Sequence, residues 1–327
     1  MALYGVQLVN YLLPLVTIPY LARVLGAEGW GLVAFTQGFA GYLIVVIEYG
    51  FDLSATREVA RFRSDKAKLS DLVAGVLGAK LLLAAFAIAF AITVMPWIPN
   101  VQDHGLLLWA GMILAVAQGL SMLWYFQGQE RMKVVARLDV MAKVLATISL
   151  FVFVREPADA WKVLGLMAAG SLLSTGIALA ITYREVPFRL PPTDTVISAL
   201  RLGWSMFVFR SSVSLYTVGN AFILGFFVPP QFVGYYAGAE KISRAVLGLF
   251  QPVSQAMFPR ISRLIGEARD VAARYARLSL RVMGGAGFAG GVIMYVSAPL
   301  IVPLLLGPEF EPAVTVLRIL ALLPPLI

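Results

Sequence analysis

Long apolar runs alternate with short polar connections along the whole chain. Runs near residues 3–22, 29–50, 72–95, 106–127, 138–154, 163–183, 202–227, 235–259 and 282–306 are each close to the length a helix needs to cross a bilayer, and a tenth begins near 314. Uninterrupted apolar stretches of this length read as helices. The pattern therefore predicts an all-α protein, a polytopic transmembrane helix bundle. The first run opens at Leu3 with no basic flank and no small-residue cleavage site, so it reads as a mature span. The chain stops at Leu326-Ile327 inside the tenth run, just after Pro324-Pro325, and the natural protein is expected to continue.

Charge is confined largely to alternate connections. Arg57, Arg61, Arg63, Lys66 and Lys68 lie in the second, Arg131, Lys133 and Arg137 in the fourth, and Arg184, Arg189 and Arg201 in the sixth. The eighth holds Arg260, Arg263, Arg269, Arg274, Arg277 and Arg281, while the odd connections hold only Arg23, Arg155 and Lys162. The bias of Lys and Arg toward cytoplasmic loops then puts the even connections and the N-terminus in the cytoplasm. It also accounts for the net charge of +8 without a nucleic-acid partner.

Composition narrows the chemistry. Of 327 residues, 60% are apolar and 13% charged, against roughly 25% charged in soluble domains. No connection is long enough to form a soluble catalytic domain. The sequence has no cysteine and a single histidine, His104, which removes thiolate chemistry and histidine metal clusters from consideration. No cofactor is expected.

A shift of 203 residues places Trp30-Gly31-Leu32-Val33-Ala34 over Val233-Gly234-Tyr235-Tyr236-Ala237, and Arg57 over Arg260. The copies are six spans apart and share an orientation, which describes a parallel repeat about an axis along the membrane normal. The expected architecture is two six-helix lobes, residues 1–200 and residues 201–327, with the second lobe truncated. Two lobes facing a shared cavity suit a transporter and not an enzyme.

Several short motifs carry a family resemblance. Asn10-Tyr11-Leu12-Leu13-Pro14 and Ile18-Pro19-Tyr20-Leu21-Ala22-Arg23-Val24-Leu25-Gly26 resemble the opening helix of the polysaccharide transporters, the O-antigen (Wzx-type) flippases. Their superfamily also holds multidrug (MATE) exporters and lipid II flippases. Glu48-Tyr49-Gly50-Phe51 with Arg57-Glu58, Trp124-Tyr125-Phe126-Gln127-Gly128 with Glu130-Arg131-Met132, and Phe209-Arg210-Ser211 with Ser214-Leu215-Tyr216-Thr217 resemble the same family. The resemblance implies a flippase in the bacterial cytoplasmic (inner) membrane. Its substrate would be an undecaprenyl-diphosphate-linked oligosaccharide repeat unit, moved to the periplasmic leaflet for surface polysaccharide or lipopolysaccharide O-antigen. Membrane lipids, a polysaccharide polymerase and other assembly proteins would be its partners.

Charges inside the spans then become candidate sites, since each costs at least about 2.5–3.5 kcal/mol near the bilayer centre unless paired or wetted. Asp139 with Lys143 and Glu240 with Arg244 are four apart, acid first, and can neutralise each other along one helix face. Lys80, Arg210 and Lys241 have no such neighbour and are expected to face an aqueous cavity. Arg210 is the first candidate for the diphosphate, because guanidinium offers bidentate bonds. Lys80 is the second, and Lys241 with Arg244 forms a later site. Glu48, Asp139 and Glu240 are candidates for ion coupling, while Pro14, Pro19 and Gly219 are candidate hinges. Trp97, Trp109, Trp124, Tyr125 and Trp161 fall near span ends and read as interfacial anchors.

Three rivals remain on these residues. A multidrug exporter would line its cavity with acids, a lipid II flippase would also take a diphosphate, and a membrane-embedded glycan polymerase or glycosyltransferase would need a large polar loop. Basic side chains outnumber Glu48, Asp139 and Glu240 within the spans, which favours an anionic substrate.

Overall fold

A computed structural model describes residues 2–97, 104–248 and 269–324, and among the described residues every regular element is a helix. Helix α1 (Ala2–Glu48) consists of two arms, residues 2–25 and 27–48, that meet at Gly26 with φ 69° and ψ 178°. Glycine tolerates that positive φ where a β-carbon would be strained. The arms fold back on each other, because Leu13, Thr17 and Leu21 of the first line one cavity with Trp30, Val33 and Gln37 of the second. Main-chain angles remain helical through Pro14 and Pro19. The sharp break thus lies past the prolines, between the two predicted spans.

A left-handed corner at Tyr49 and Gly50 leads into α2 (Phe51–Arg61), an amphipathic helix in a stretch that the hydropathy pattern treats as a connection. Helix α3 (Lys66–Val94) starts earlier than its apolar run. The Asp65 carboxylate accepts from the amides of Lys68 and Ala67, both at 3.1 Å, and so satisfies donors that a helix start leaves open. The Lys68 amide above all holds that carboxyl below the usual carboxylate range. Next come α4 (Gly105–Gly119), α5 (Leu123–Gly128), α6 (Met132–Phe153), α7 (Ala160–Glu185) and α8 (Thr193–Thr217). The chain then forms α9 (Asn220–Leu224), α10 (Pro230–Gly248), α11 (Arg269–Leu306) and α12 (Ala313–Leu320). The boundary placed at residue 200 falls inside α8, which begins after Pro191-Pro192 and packs on α3. Arg260, Arg263, the alignment of Arg57 with Arg260 and the end of the span expected to reach 259 lie outside the described residues.

Polar contacts gather the second, fourth and sixth connections at one end of the bundle. Arg63 bonds the Gly128 carbonyl at 2.8 Å and Glu130 at 2.9 Å, Arg131 pairs with Glu185, and Arg189 pairs with Asp71 at 2.6 Å. Arg63 also holds Glu130 below the usual carboxylate range. At the opposite, Gly26 end the Tyr20 hydroxyl donates to the Val154 carbonyl at 2.6 Å, and Arg23 donates to the Leu304 carbonyl near the end of α11.

Two apolar clusters are stacked along the helices. The larger is built from Leu21 to Ile47 of α1, Ala84 to Ala91 of α3, and parts of α4, α7, α10 and α11. The smaller lies at the basic-loop end around Phe51, Val76, Trp124, Tyr125 and Phe126. Trp124 and Tyr125 are each 1% exposed, so they fill this core instead of anchoring at the interface. Their position at the α4–α5 break turns them inward. Trp97, Trp109 and Trp161 remain exposed, as anchors would be.

Among the described residues, five segments are long and apolar enough to cross a membrane: Leu13–Arg61, Lys66–Trp97, Gly105–Gly128, Pro157–Glu185 and Arg277–Leu306. The first contains the back-folded second arm of α1. Exposed Leu81, Leu82, Phe86 and Phe90 on α3 give the bundle an apolar exterior that water would not tolerate and lipid would. Helices α6, α8 and α10 have 22, 25 and 19 residues but are not among the five segments. These three carry Asp139, Lys143, Arg210, Glu240, Lys241 and Arg244. Most of the candidate charges thus lie on less apolar helices, while Glu48 and Lys80 lie within two of the five apolar segments.

Helix α10 packs most extensively against α1, through the start of α1's second arm. A methyl group at Gly31 would sit 1.8 Å from the Pro230 carbonyl oxygen, and one at Gly234 would sit 2.0 Å from that of Ala27. Small residues let membrane helices approach backbone to backbone in this way. The contact is reciprocal, with Ala27 and Gly31 each 203 residues before Pro230 and Gly234.

Candidate functional site

Polar side chains form a layer where α1, α4, α6 and α7 meet. At its centre, Glu48, Gln118, Ser121, Asp139, Lys143 and Thr175 line a cavity of about 270 Å³ between α1, α4, α6 and α7. Lys143 Nζ lies 2.7 Å from Asp139 Oδ2, so the predicted pair forms within the cavity wall. Thr175 spends its hydroxyl on the Ala117 carbonyl at 3.0 Å.

Arg210 comes to this layer from α8. Its guanidinium lies 3.0 Å from Asp52 Oδ2 and 3.4 Å from Glu48 Oε2, bridging the α1–α2 corner to α8. The residue without a partner on its own helix therefore has two across the helix boundary. Its side chain is 40% exposed, which leaves it within reach of an incoming anion. Asp52 was absent from the sequence-based candidates, although its place one turn after Glu48 was the available signal.

Lys80 does something else. Its ammonium donates to the carbonyls of Gly119 at 2.8 Å and Ser121 at 3.0 Å, where α4 ends and its last carbonyls lack helical partners. At 2% exposed it does not open on an aqueous cavity, contrary to the expectation. The break between α4 and α5 takes up two of the ammonium's donors.

A second cavity, of about 350 Å³, adjoins the first across Lys143, with Thr17, Gln37 and Lys241 among its lining residues. A third, of about 380 Å³, adjoins the second across Lys241 and is flanked by Arg244. Arg244 is occupied by Glu240 at 2.9 Å, the second predicted pair, and by the Thr217 carbonyl at 2.8 Å. Lys241 has no hydrogen bond or ion pair among the described residues, and it is half-buried between two cavities. Among the described residues, ion pairs occupy Lys143, Arg210 and Arg244, carbonyls hold Lys80, and Arg318, which lines none of these cavities, lies over the Tyr295 ring, so Lys241 is the cation on the three cavities left without a polar partner.

The candidate hinges have definite surroundings. Pro14 faces the second and third cavities and Pro19 the third. Gly219 caps α9 and seats the Tyr42 ring, whose hydroxyl would lie 1.7 Å from a methyl placed there and donates to the Leu215 carbonyl at 3.2 Å. Among the described residues, no three His, Cys, Asp or Glu side chains are grouped to hold a metal ion. The arrangement can hold an anion at Lys241 and exchange counter-ions at Arg210.

The fold resembles that of a multidrug resistance MATE family transporter of the MOP superfamily, solved in an inward-facing conformation. The TM-score is 0.60 at 16% identity, over 96% of this chain and 82% of that one. An Escherichia coli (strain K12) protein is 32% identical over 98% of the chain and 78% of its own length, and a Shigella dysenteriae protein is 29% identical over 98% and 81%. Both bear the name "Putative O-antigen transporter". The family model described as polysaccharide biosynthesis protein matches residues 1–265. With this match, these relatives and helices that suit a bilayer, the chain is a multi-pass membrane protein and belongs to the polysaccharide biosynthesis protein family of O-antigen transporters.

Proposed function

We propose that the protein is a flippase that carries undecaprenyl-diphosphate-linked oligosaccharide repeat units from the cytoplasmic to the periplasmic leaflet of the inner membrane. In this reading the N-terminus and the basic-loop end face the cytoplasm, as the distribution of Lys and Arg favours. The observation that carries the proposal is the run of three adjoining cavities, with charged walls and an unpaired ammonium at Lys241. A diphosphate is a compact polyanion that would be drawn to such a group, and a ladder of modest contacts releases its cargo where one tight site would hold it. Arg210 is a second contact, reached when the anion displaces Glu48 or Asp52. Those carboxylates, with Asp139 and Glu240, are the groups through which an ion gradient would couple. Bending at Pro14, Pro19 and Gly219 would change access.

The test is to delete the full-length gene in its host and quantify both surface polysaccharide and the membrane pool of complete lipid-linked units. Loss of polymer with accumulation of complete units, both reversed by the restored gene, is expected. Accumulation of incomplete units would instead assign the protein to glycan assembly. One observation favours a second reading: Glu48 and Asp139 both line the first cavity, as a carrier of cationic drugs would require. Unchanged pools together with a raised sensitivity to cationic dyes would establish that exporter reading in place of the flippase.

A further inference from the structure

The third cavity differs from the other two in what lines it. Leu15 and Ile18 of α1, Ile242 and Val246 of α10, and Ile301 and Leu305 of α11 form an apolar trough, with Lys241 and Arg244 at one side. Across Lys241 the second cavity keeps apolar walls at Leu21, Val33, Leu150 and Met167 but adds Thr17, Gln37, Lys143 and Thr147. A single ammonium therefore stands where an apolar trough meets a more polar chamber. Such an arrangement suits an amphiphile whose charge lies between an oily chain and a hydrophilic body, and it suits neither half alone.

The geometry points to the α1–α10–α11 trough as the subsite for the isoprenoid chain of a polyprenyl diphosphate. The diphosphate is held at Lys241, and the sugar lies toward Thr17 and Gln37. This assignment rests on the flippase reading and adds to it where the lipid portion lies during transport. Lys241 provides charge complementarity at the head. The trough provides apolar contact that competes with the bilayer's own, so binding is set by the join between the two and remains weak enough for release. Arg244 stands beside the trough but is committed to Glu240 and Thr217, which leaves Lys241 as the first contact.

The experiment uses the purified full-length protein in phosphatidylcholine nanodiscs, with photoreactive benzoylphenylalanine in place of Leu305 and radiolabelled geranylgeranyl diphosphate as probe. The same residue placed at Phe86, which is 63% exposed on α3, reports nonspecific contact with membrane-dissolved probe. Labelling at 305 is expected to exceed labelling at 86 at least fivefold. Excess unlabelled geranylgeranyl diphosphate should suppress it, whereas inorganic diphosphate or geranylgeraniol at the same concentration should not. Lys241→Ala should lower labelling at 305 at least fivefold and Lys241→Arg should keep it, both judged on protein that elutes as a folded monodisperse species. Equal labelling at the two positions, or labelling unaffected by Lys241→Ala in folded protein, overturns the assignment. Ala245→Leu, which narrows the trough without removing a charge, is a second probe, and full labelling in that variant also counts against it. The lipid-linked pools measured in cells are read separately. Lost labelling with intact translocation refutes the trough alone, while intact pools in the deletion strain refute the flippase reading itself.

Discussion

Two seams hold α1 against the later helices, one at each end of the bundle, and they are made of different materials. At the Gly26 end, backbone meets backbone between Gly31 and Gly234, with no charged group in the contact. At the basic-loop end the corner of Tyr49 and Gly50 meets α8. There the Tyr49 ring stacks on Phe207 at 4.6 Å, and Arg210 reaches Glu48 and Asp52. The first seam is dry and matched to itself, so it resists any added atom and ignores salt. The second contains ions partly open to solvent, so a competing anion, a proton or salt can loosen it. A carrier that must open toward one side at a time gains from seams that respond to different signals.

The contrast can be broken most severely at the glycines. Gly31→Val and Gly234→Val should each cost more than the roughly 1–3 kcal/mol of ordinary overpacking, because a carbonyl oxygen, and not a flexible side chain, blocks the new atoms. Size-exclusion profiles and melting temperatures of purified variants would check this, and parent-like melting would mean that the seam is loose. Lys80→Met comes next, at about 2 kcal/mol, since it leaves two buried carbonyls without a donor. If that variant melts like the parent yet transports nothing, Lys80 returns to the substrate contacts.

Arg210→Ala should destabilise by only about 0.5–1 kcal/mol, because its ion pairs are partly exposed, yet it should sharply lower accumulation of surface polymer. Arg210→Lys should retain part of the transport, and full transport by the alanine variant would remove Arg210 from the mechanism. The smallest effect belongs to Asp65. Its carboxyl titrates lower in the folded state, so its contribution is present above the ordinary carboxylate range near pH 4 and disappears as pH falls through the depressed value. The melting advantage of parent over Asp65→Ala should therefore vanish on acidification. An advantage that grows instead would contradict the capping role.

Helices were the legible part of the sequence, because an apolar run of bilayer length leaves few alternatives. So were the pairs Asp139–Lys143 and Glu240–Arg244, which one helix presents on one face. Contacts between elements were not legible. Arg210 meets partners 158 and 162 positions away, and Lys80 meets carbonyls at a helix break that hydropathy runs straight through. Trp124 and Tyr125 were misplaced for the same reason, since an apolar pattern states that a residue avoids water but not whether protein or lipid surrounds it. Helix α2 was missed because its face toward the core is too short to register among Arg57, Glu58 and Arg61.

The burial of Lys80 has a consequence for how the chain enters the membrane. Until α4 arrives, the carbonyls that receive its ammonium do not exist beside it, and α3 enters with an ammonium that lacks its two acceptors, at a cost of up to about 2.5–3.5 kcal/mol. The segment that carries it, Lys66–Trp97, includes the most apolar stretch of the five, which can offset the charge during synthesis. Helices α3 and α4 then mature as a pair, and a ribosome paused between them would leave Lys80 without its acceptors.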